Sequence, residues 1–474
     1  MSSESNPTLS AVKAGGWGGT TSAAVAGEEA RVLRGCAENA RLQEQARAGL
    51  RKAREVESLD ALLAEVRRIA ALPLEKSETL PKEVYTSDEF FAWEVDEVFS
   101  KEWFCVAHVS QIPENGDFIN LDLSGDPLVV VRDKSGTVRV LSRACPHRGM
   151  DIMPPGFGHD GHGPAVRRES SPACGSTRLF LCPYHSWTFE LDGRLKACPE
   201  MQQAEGFERD DWGLKEFRAE VWQGFVFVNL DGNAPSSVAE QYAELGEHVS
   251  KWNTAGMEIV VAREWDVPCN WKVLTENFME SYHHAGAHAK TLQTIMPAKH
   301  TWTEQERPHF IRCHLPYKAK VRDEIADAEA AGGHWEAFPA VEGLEGEDRF
   351  EWGLMLGYPL FTFVLTPDQL VWYRILPTGP DSLKLLTTVL VPKSTIGHPD
   401  FGKMLDRATA EAVAFHLEDM EVVAAVQRSL HASGYQRGRL SHLEMPIWLM
   451  QRYLAARARG TWPGLDHPPA PSQR

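Results

Sequence analysis

The sequence predicts an α+β protein: a helical N-terminal extension, a small all-β domain, and an antiparallel sheet packed against one long helix. Three observations carry this prediction. Residues 28–72 are rich in helix formers with Ala and Leu at helical spacing. Residues 103–232 switch to short alternating runs separated by turn pairs. After about residue 233, helical stretches and strands alternate before a long helical pattern at about 397–430.

The elements follow in chain order. Residues 1–28 are Ser-, Gly-, Ala- and Thr-rich and read as a disordered tail. The helical stretch 28–72 reads as packing or assembly helices, with Ser58 as a cap for its second part, and residues 1–80 form the extension. A lead-in helix at 81–102 opens a domain spanning 81–232. Its strands are "DFINLDL", "DPLVVVRD", "GTVRVLS", "LFLCPY", "SWTFELDG" and "GFVFVNLDG", joined at Asp-Gly, Ser-Gly and Asn-Gly turns. Residues 233–474 form the α+β domain. Helices are expected near 239–252 and 270–285, and strands at "LFTFVLTP", "QLVWYRILP" and "LKLLTTVLVP". No internal repeat at a fixed period is evident.

Composition narrows the function classes. The 474 residues are 43% hydrophobic and 24% charged, an ordinary globular balance. No window approaches 18 apolar residues, and the start lacks a basic stretch followed by an apolar one. No membrane span or secretory signal is therefore expected, and the expected location is the cytoplasm. A net charge of −17 argues against nucleic-acid binding and favours small-molecule work. The 8 cysteines are too sparse for a disulfide scaffold and read as thiols in a reducing compartment.

Some of those thiols have metal-ligand spacing. "RACPHRGMDI" holds Cys145 and His147, and "LCPYHSWTF" holds Cys182 and His185. Two thiolates and two imidazoles suit either zinc or an iron–sulfur cluster. A structural zinc site usually groups its cysteines and then its histidines. Here each loop supplies one of each, which suits two irons, one held by sulfur and one by nitrogen. "CPHRG" and "CPYHSWTFELDGRL" resemble the two cluster-binding loops of Rieske oxygenases, and the resemblance implies a Rieske [2Fe–2S] cluster. The stretch between the loops is longer than the family norm. Its His159, His162 and Cys174 lack the flanking pattern and are assigned to solvent. Arg143 and Ser186 stand where relatives more often carry Asn and Gly.

A second constellation lies in "CNWKVLTENFMESYHHAGAHAKTL", which holds Glu276, Glu280, His283, His284 and His288. On a helix, Glu276, Glu280 and His283 fall near one face, and Gly286 is expected to break the helix and let His288 swing back toward His283. Two imidazoles need one carboxylate to complete the facial triad of a non-haem Fe(II) oxygenase. Asp419 is the candidate. At 100° per residue, Phe415, Val422, Val423, Val426 and Leu430 cluster around it. A carboxylate in an apolar stripe must be paired, with an Arg for example, or bind metal. Glu418 and Glu421 point elsewhere and are weaker candidates.

"NWKVLTENFMESYHHAGAH" is similar to the mononuclear-iron motif of Rieske non-haem iron oxygenase α-subunits of the aromatic-ring-hydroxylating type, and "EDMEVVAAVQRSL" resembles their later ligand segment. The resemblance covers roughly residues 81–455. It implies a helix-grip catalytic domain, with His283, His288 and Asp419 as iron ligands and His284 as a pocket neighbour. It implies that Glu280 bridges His283 to His185 of a neighbouring subunit in a homotrimer, or in an α-subunit ring of α3β3 type. It also implies electrons from NAD(P)H through a flavin reductase or ferredoxin, with O2 as co-substrate. The expected reaction is hydroxylation or dihydroxylation of an aromatic or related organic substrate. The alternative is demethylation of a quaternary amine or N-methyl compound. A pure electron carrier would need no second metal site. A cavity lined by Arg would favour a carboxylate substrate; a ring of Trp, Tyr and Phe would favour an ammonium.

Overall fold

The computed structural model describes residues 23–50, 58–154, 174–461 and 472–473. Most of the expected disordered tail lies outside the described residues. Residues 23–28, expected as tail, instead begin helix α1 (Ala23–Leu50), consistent with their Ala content. Helix α2 (Leu59–Ala70) is capped as expected, the Ser58 hydroxyl accepting the Ala61 N–H at 3.3 Å. His159 and His162 lie outside the described residues. Cys174, expected in solvent, is half-buried and opens a strand.

Two compact units follow, and their boundaries differ from those expected. One is Ser100–Glu240. The other joins the described residues up to Phe99 to those from Gln241 onward. The lead-in segment therefore packs with the second unit. Its short helices Glu83–Thr86 and Asp88–Glu94 are tied there by polar and aromatic contacts. The Tyr85 hydroxyl donates to Glu276 at 2.8 Å, Lys272 meets Glu94 at 2.5 Å with both side chains fully buried, and the Phe99 ring lies edge-on to Trp271 at 5.6 Å.

The first unit is all-β, as expected. Strands β1 (Phe104–His108), β2 (Asp117–Leu123), β3 (Asp126–Arg132), β4 (Val138–Ser142) and β5 (Cys174–Ser176) precede a three-stranded sheet. That sheet comprises β6 (Phe180–Leu181), β7 (Thr188–Phe189) and β8 (Leu195–Ala197). Strands β9 (Glu216–Trp222) and β10 (Phe225–Asn229) complete a larger sheet of order β1-β10-β9-β4-β3-β2-β5. β2 coincides with the run "DFINLDL". β6 and β7 are much shorter than the runs that predicted them. The backbone between them closes a tight turn: the Cys182 N–H donates to Trp187 O at 2.8 Å and the Ser186 N–H to Cys182 O at 3.1 Å.

The second unit holds an antiparallel sheet. Its strands are β11 (Met257–Val267), β12 (Trp302–Thr303), β13 (Phe310–Pro316), β14 (Glu351–Gly357), β15 (Phe361–Leu365), β16 (Leu370–Gly379) and β17 (Ser382–Pro392). Their order is β11-β17-β16-β15-β14-β13-β12. Helix α3 (Trp271–Met279) follows β11, α4 (Ala319–Ala330) follows β13, α5 (Phe401–Leu430) follows β17, and α6 (Met445–Arg459) closes the chain. Side chains two apart share a sheet face, so Trp352 and Leu354, Val371 and Tyr373, and Thr387 and Val389 line one wall. The register aligns Val364, Val371 and Val389 across three strands. α5 answers with Ala408, Glu411, Ala412, Phe415 and Asp419, spaced as one helical stripe. Among the described residues no helix is long and apolar enough to cross a membrane.

Candidate metal centres

The first centre is built from two turns of the all-β unit. Cys145 and Cys182 are both buried, and each thiol shifts the other's pKa. Backbone N–H groups of His147 and Arg148 lower the pKa of Cys145, and those of Tyr184 and His185 lower that of Cys182. Such donors favour thiolate over thiol. The Cys145 thiol, aided by the Tyr184 and His185 amides and opposed by burial, holds Cys182 down to about 6, while Cys145 is pushed up by the same pairing. The imidazoles form a second pair: the His147 and His185 rings lie 4.6 Å apart, and His147 stacks on buried Trp187 at 4.8 Å and 4°. Burial, with His185 and Arg148 nearby, lowers the His147 pKa, so the ring is neutral and free to ligate. A thiolate pair beside an imidazole pair fits a two-iron, two-ligand-type cluster. Ser186 sits at φ +60°, a left-handed conformation in which glycine would be unstrained.

The second centre lies wholly within the second unit. Among the described residues, His283, His288 and Asp419 are the one group of three or more whose ligand atoms all fall within 4.8 Å of one another. Asp419 Oδ1 lies 3.0 Å from His288 Nε2, 3.6 Å from His283 Nε2, and accepts the Asn277 amide N–H at 2.8 Å. Burial alone would raise the Asp419 pKa, but His288, His283 and Asn277 outweigh it and hold the carboxyl below its usual range. Burial opposes charge on His288 too, yet the Asp419 and Glu418 carboxylates push it up to about 9. Both ring nitrogens of His288 thus face carboxylates. The pocket stabilises positive charge, and the donor set fits a divalent metal.

Each histidine is oriented from behind. Glu280 Oε1 accepts from His283 Nδ1 at 2.6 Å and Glu280 Oε2 from the His283 backbone N–H at 3.1 Å. Glu418 Oε2 accepts from His288 Nδ1 at 2.5 Å and from the Thr291 hydroxyl at 2.7 Å. These bonds turn both Nε2 atoms toward Asp419, the arrangement that fixes the tautomer of a ligating histidine.

The local backbone differs from expectation. The helix ends at Met279, not at Gly286: Glu280 is extended at φ −110°, ψ 159°, and a separate 3₁₀ turn spans Tyr282–Ala285. Glu280 captures the His283 N–H, a side-chain bond that competes with continuing the helix. Gly286 has an ordinary φ of −104°. Glu276 therefore does not share a face with Glu280; it bonds Tyr85, and burial pushes its carboxyl up to about 7. Around Asp419 the apolar stripe is partial, since Val423 and Leu430 are buried but Val426 is exposed. The Asp419 exposure faces a cavity. His284 is buried beside both rings, 5.1 Å from His283 and 5.4 Å from His288, and burial drives it down to about 3.

That cavity runs between the sheet wall and α5. Phe278, Trp352, Tyr373 and Phe415 supply aromatic surface, and Glu336 and Glu411 supply acid. Among the described residues no Lys or Arg lines it. Sequence reasoning missed Asn277 and the cavity acids, and weighed Glu418 only as a weaker ligand candidate. The adjacency of Glu418 to Asp419 was a signal, but helical angle alone cannot say which neighbour a side chain meets.

Two family profiles match: the Rieske [2Fe-2S] domain over residues 102–217 and the ring hydroxylating alpha subunit catalytic domain over residues 254–460. The carnitine monooxygenase oxygenase subunit of Acinetobacter pittii (strain PHEA-2) is 31% identical over 230 residues, 48% of this chain and 57% of the relative. The biphenyl 2,3-dioxygenase subunit alpha of Rhodococcus jostii (strain RHA1) is 34% identical over 226 residues, 46% of this chain and 45% of the relative. The matched segment thus spans about half the length of these relatives. A solved quaternary ammonium Rieske monooxygenase, CntA with an inhibitor, superposes with a TM-score of 0.66 at 22% identity. The superposition covers 85% of this chain and 100% of that one, so the two share a fold.

Proposed function

We propose that this chain, which belongs to the family of Rieske ring-hydroxylating oxygenase α-subunits, is the oxygenase component of a system that uses O2 to oxidise a small organic molecule. The observation that carries the reading is the convergence of His283, His288 and Asp419 at one end of a lined cavity. In this reading those three hold a mononuclear Fe(II), and Cys145, His147, Cys182 and His185 hold the [2Fe–2S] cluster. Bound there, the cluster supplies single electrons and the iron an open site for dioxygen chemistry.

The chain's own residues do the rest. Glu280 and Glu418 set the tautomers of His283 and His288. Asn277 holds Asp419 in place. The aromatic and aliphatic walls position the substrate and keep water from it. Glu280 also carries the link to His185 of a neighbouring copy in a homotrimer. Exposure of Tyr184, beside His185, and of Tyr282, beside His283, supports a face that another chain covers. A ferredoxin or flavin reductase drawing on NAD(P)H is the electron donor.

The cavity favours the ammonium alternative over an aromatic acid. It offers a carboxylate no counter-charge, whereas Glu336 and Glu411 with four aromatic rings suit a cation. The test is purified protein with iron restored, a surrogate reductase and a panel of amines, aromatic acids and hydrocarbons. Substrate-dependent O2 uptake that vanishes in His283→Ala is expected. Uptake that persists in His283→Ala would overturn the reading.

A further inference from the structure

The end of the cavity away from the metal centre has its own chemistry. Glu336 lies there, beside Arg407 and Glu411 of α5: its backbone carbonyl accepts from Arg407 Nη1 at 2.9 Å. Along α5, Glu411 is about 12 Å from Asp419 at the usual helical rise. The Tyr317 hydroxyl donates to Glu336 Oε1, and Trp352 Nε1–H donates to the Tyr317 oxygen at 2.7 Å. The other Glu336 oxygen accepts nothing from the described residues. Arg407 is already committed to Glu411 and to the backbone carbonyls of Trp335 and Glu336.

Two further polar atoms on this wall lack partners. Gln369 Oε1 and Thr387 Oγ1 are buried without a hydrogen bond among the described residues, both residues line the cavity, and the Thr387 side chain is buried. Gln369 follows Asp368, whose carboxylate accepts the Phe338 N–H at 3.0 Å just past Glu336, so its turn packs at the acid end. Thr387 pairs with Tyr373, nearer the metal end. Buried acceptors without donors are costly, and a cavity that keeps them expects donors from its ligand. A hydrocarbon has none. A quaternary ammonium has charge but no N–H.

We propose that the substrate carries an N–H-bearing cationic nitrogen, a protonated amine or guanidinium, whose N–H groups donate to Glu336 and Gln369 while its carbon skeleton reaches toward His283, His288 and Asp419. This rests on the ammonium reading above and narrows it. The charged groups facing Glu336 are Asp368 from the 366–369 turn, Glu411 and Arg407 from α5, and Tyr317 before α4. Burial and Asp368 raise the Glu336 carboxyl, and burial pushes Asp368 up to about 6. The acid pair therefore holds a proton that an incoming cation displaces, and amine affinity rises as pH increases past about 6.

The test uses matched triads: aryl-alkyl skeletons ending in dimethylammonio, trimethylammonio or isopropyl. Binding is measured by calorimetry and thermal shift on the full chain with its metals, without O2 or reductant. At least one dimethylammonio member should bind at least tenfold tighter than both of its counterparts and release a proton on binding. Glu336→Gln should lose that tenfold preference and Gln369→Leu most of it, with metal content unchanged; the second variant decides the matter if the first fails to fold. Trimethylammonio members binding as well or better, isopropyl members binding best, or no member binding would each overturn the proposal. Because binding is read without turnover, each of these results leaves the oxygenase reading standing. Absence of O2 uptake would, conversely, leave a positive binding result intact.

Discussion

The two metal centres solve the same problem in opposite ways. In the all-β unit each proposed ligand pair comes from one tight turn, and backbone N–H groups of that same turn favour the thiolate. In the second unit the proposed ligands come from a 3₁₀ turn (His283), from the turn just after it (His288) and from α5, where Asp419 lies 131 residues beyond His288, and carboxylate side chains do the orienting. A turn-built centre is robust to changes elsewhere and sensitive to its own few residues. A composite centre depends on the packing that brings α5 to the sheet. The difference teaches where each can be broken.

The largest effects should separate the centres completely. Asp419→Ala should lower iron from about three to about two per chain and cut turnover by more than a hundredfold, with the cluster's EPR signal intact. Cys182→Ser should do the reverse, abolishing the cluster signal while mononuclear iron still binds. If Asp419→Ala also erased the cluster signal, the two centres would not be independent.

Next comes Glu280→Gln. The shape is kept, but the acceptor that turns His283 is weakened. Both metals should remain, and the reduced cluster should be reoxidised at least tenfold more slowly when substrate and O2 are mixed in, as followed by stopped-flow absorbance. Reoxidation at the wild-type rate would make Glu280 a local brace for His283 and nothing more.

Glu418→Gln tests the side-chain scaffold alone. Loss of a carboxylate behind a ligating histidine typically costs about 10- to 100-fold in metal affinity. The titration of metal-free protein with Fe(II) should show that loss, and the cluster should be unaffected.

The smallest effect belongs to the turn. Ser186 holds a left-handed conformation, so Ser186→Gly should relieve strain and stabilise the first unit by about 0.5–1 kcal/mol. Loss of the cluster's visible absorbance on heating should move to higher temperature. A lower midpoint would mean that the Ser186 side chain contributes more than its backbone costs.

Much of this was legible before any coordinates. "DFINLDL" became β2 residue for residue because alternation and its flanking turns are local signals. The long helical pattern at about 397–430 became Phe401–Leu430 for the same reason. β11 went unnoticed, since Arg263 and Glu264 interrupt its apolar run and its partner β17 lies more than a hundred residues away. The end of α3 was misjudged because a glycine is the usual signal, whereas here the Glu280 side chain ended the helix by bonding backbone just ahead of it.

The sequence by itself determined the two turns that carry Cys145, His147, Cys182 and His185, and the helix on which Asp419 sits. All of these rest on interactions within a few residues, where spacing implies geometry. Only the tertiary structure decided that Glu418 stands behind His288, that Asn277 steadies Asp419, and that Glu336 and Gln369 share the far end of one cavity. Each of these pairings joins segments far apart in the chain. Periodicity states which way a side chain leaves its own helix or strand, and it carries no information about what the rest of the chain places in front of it.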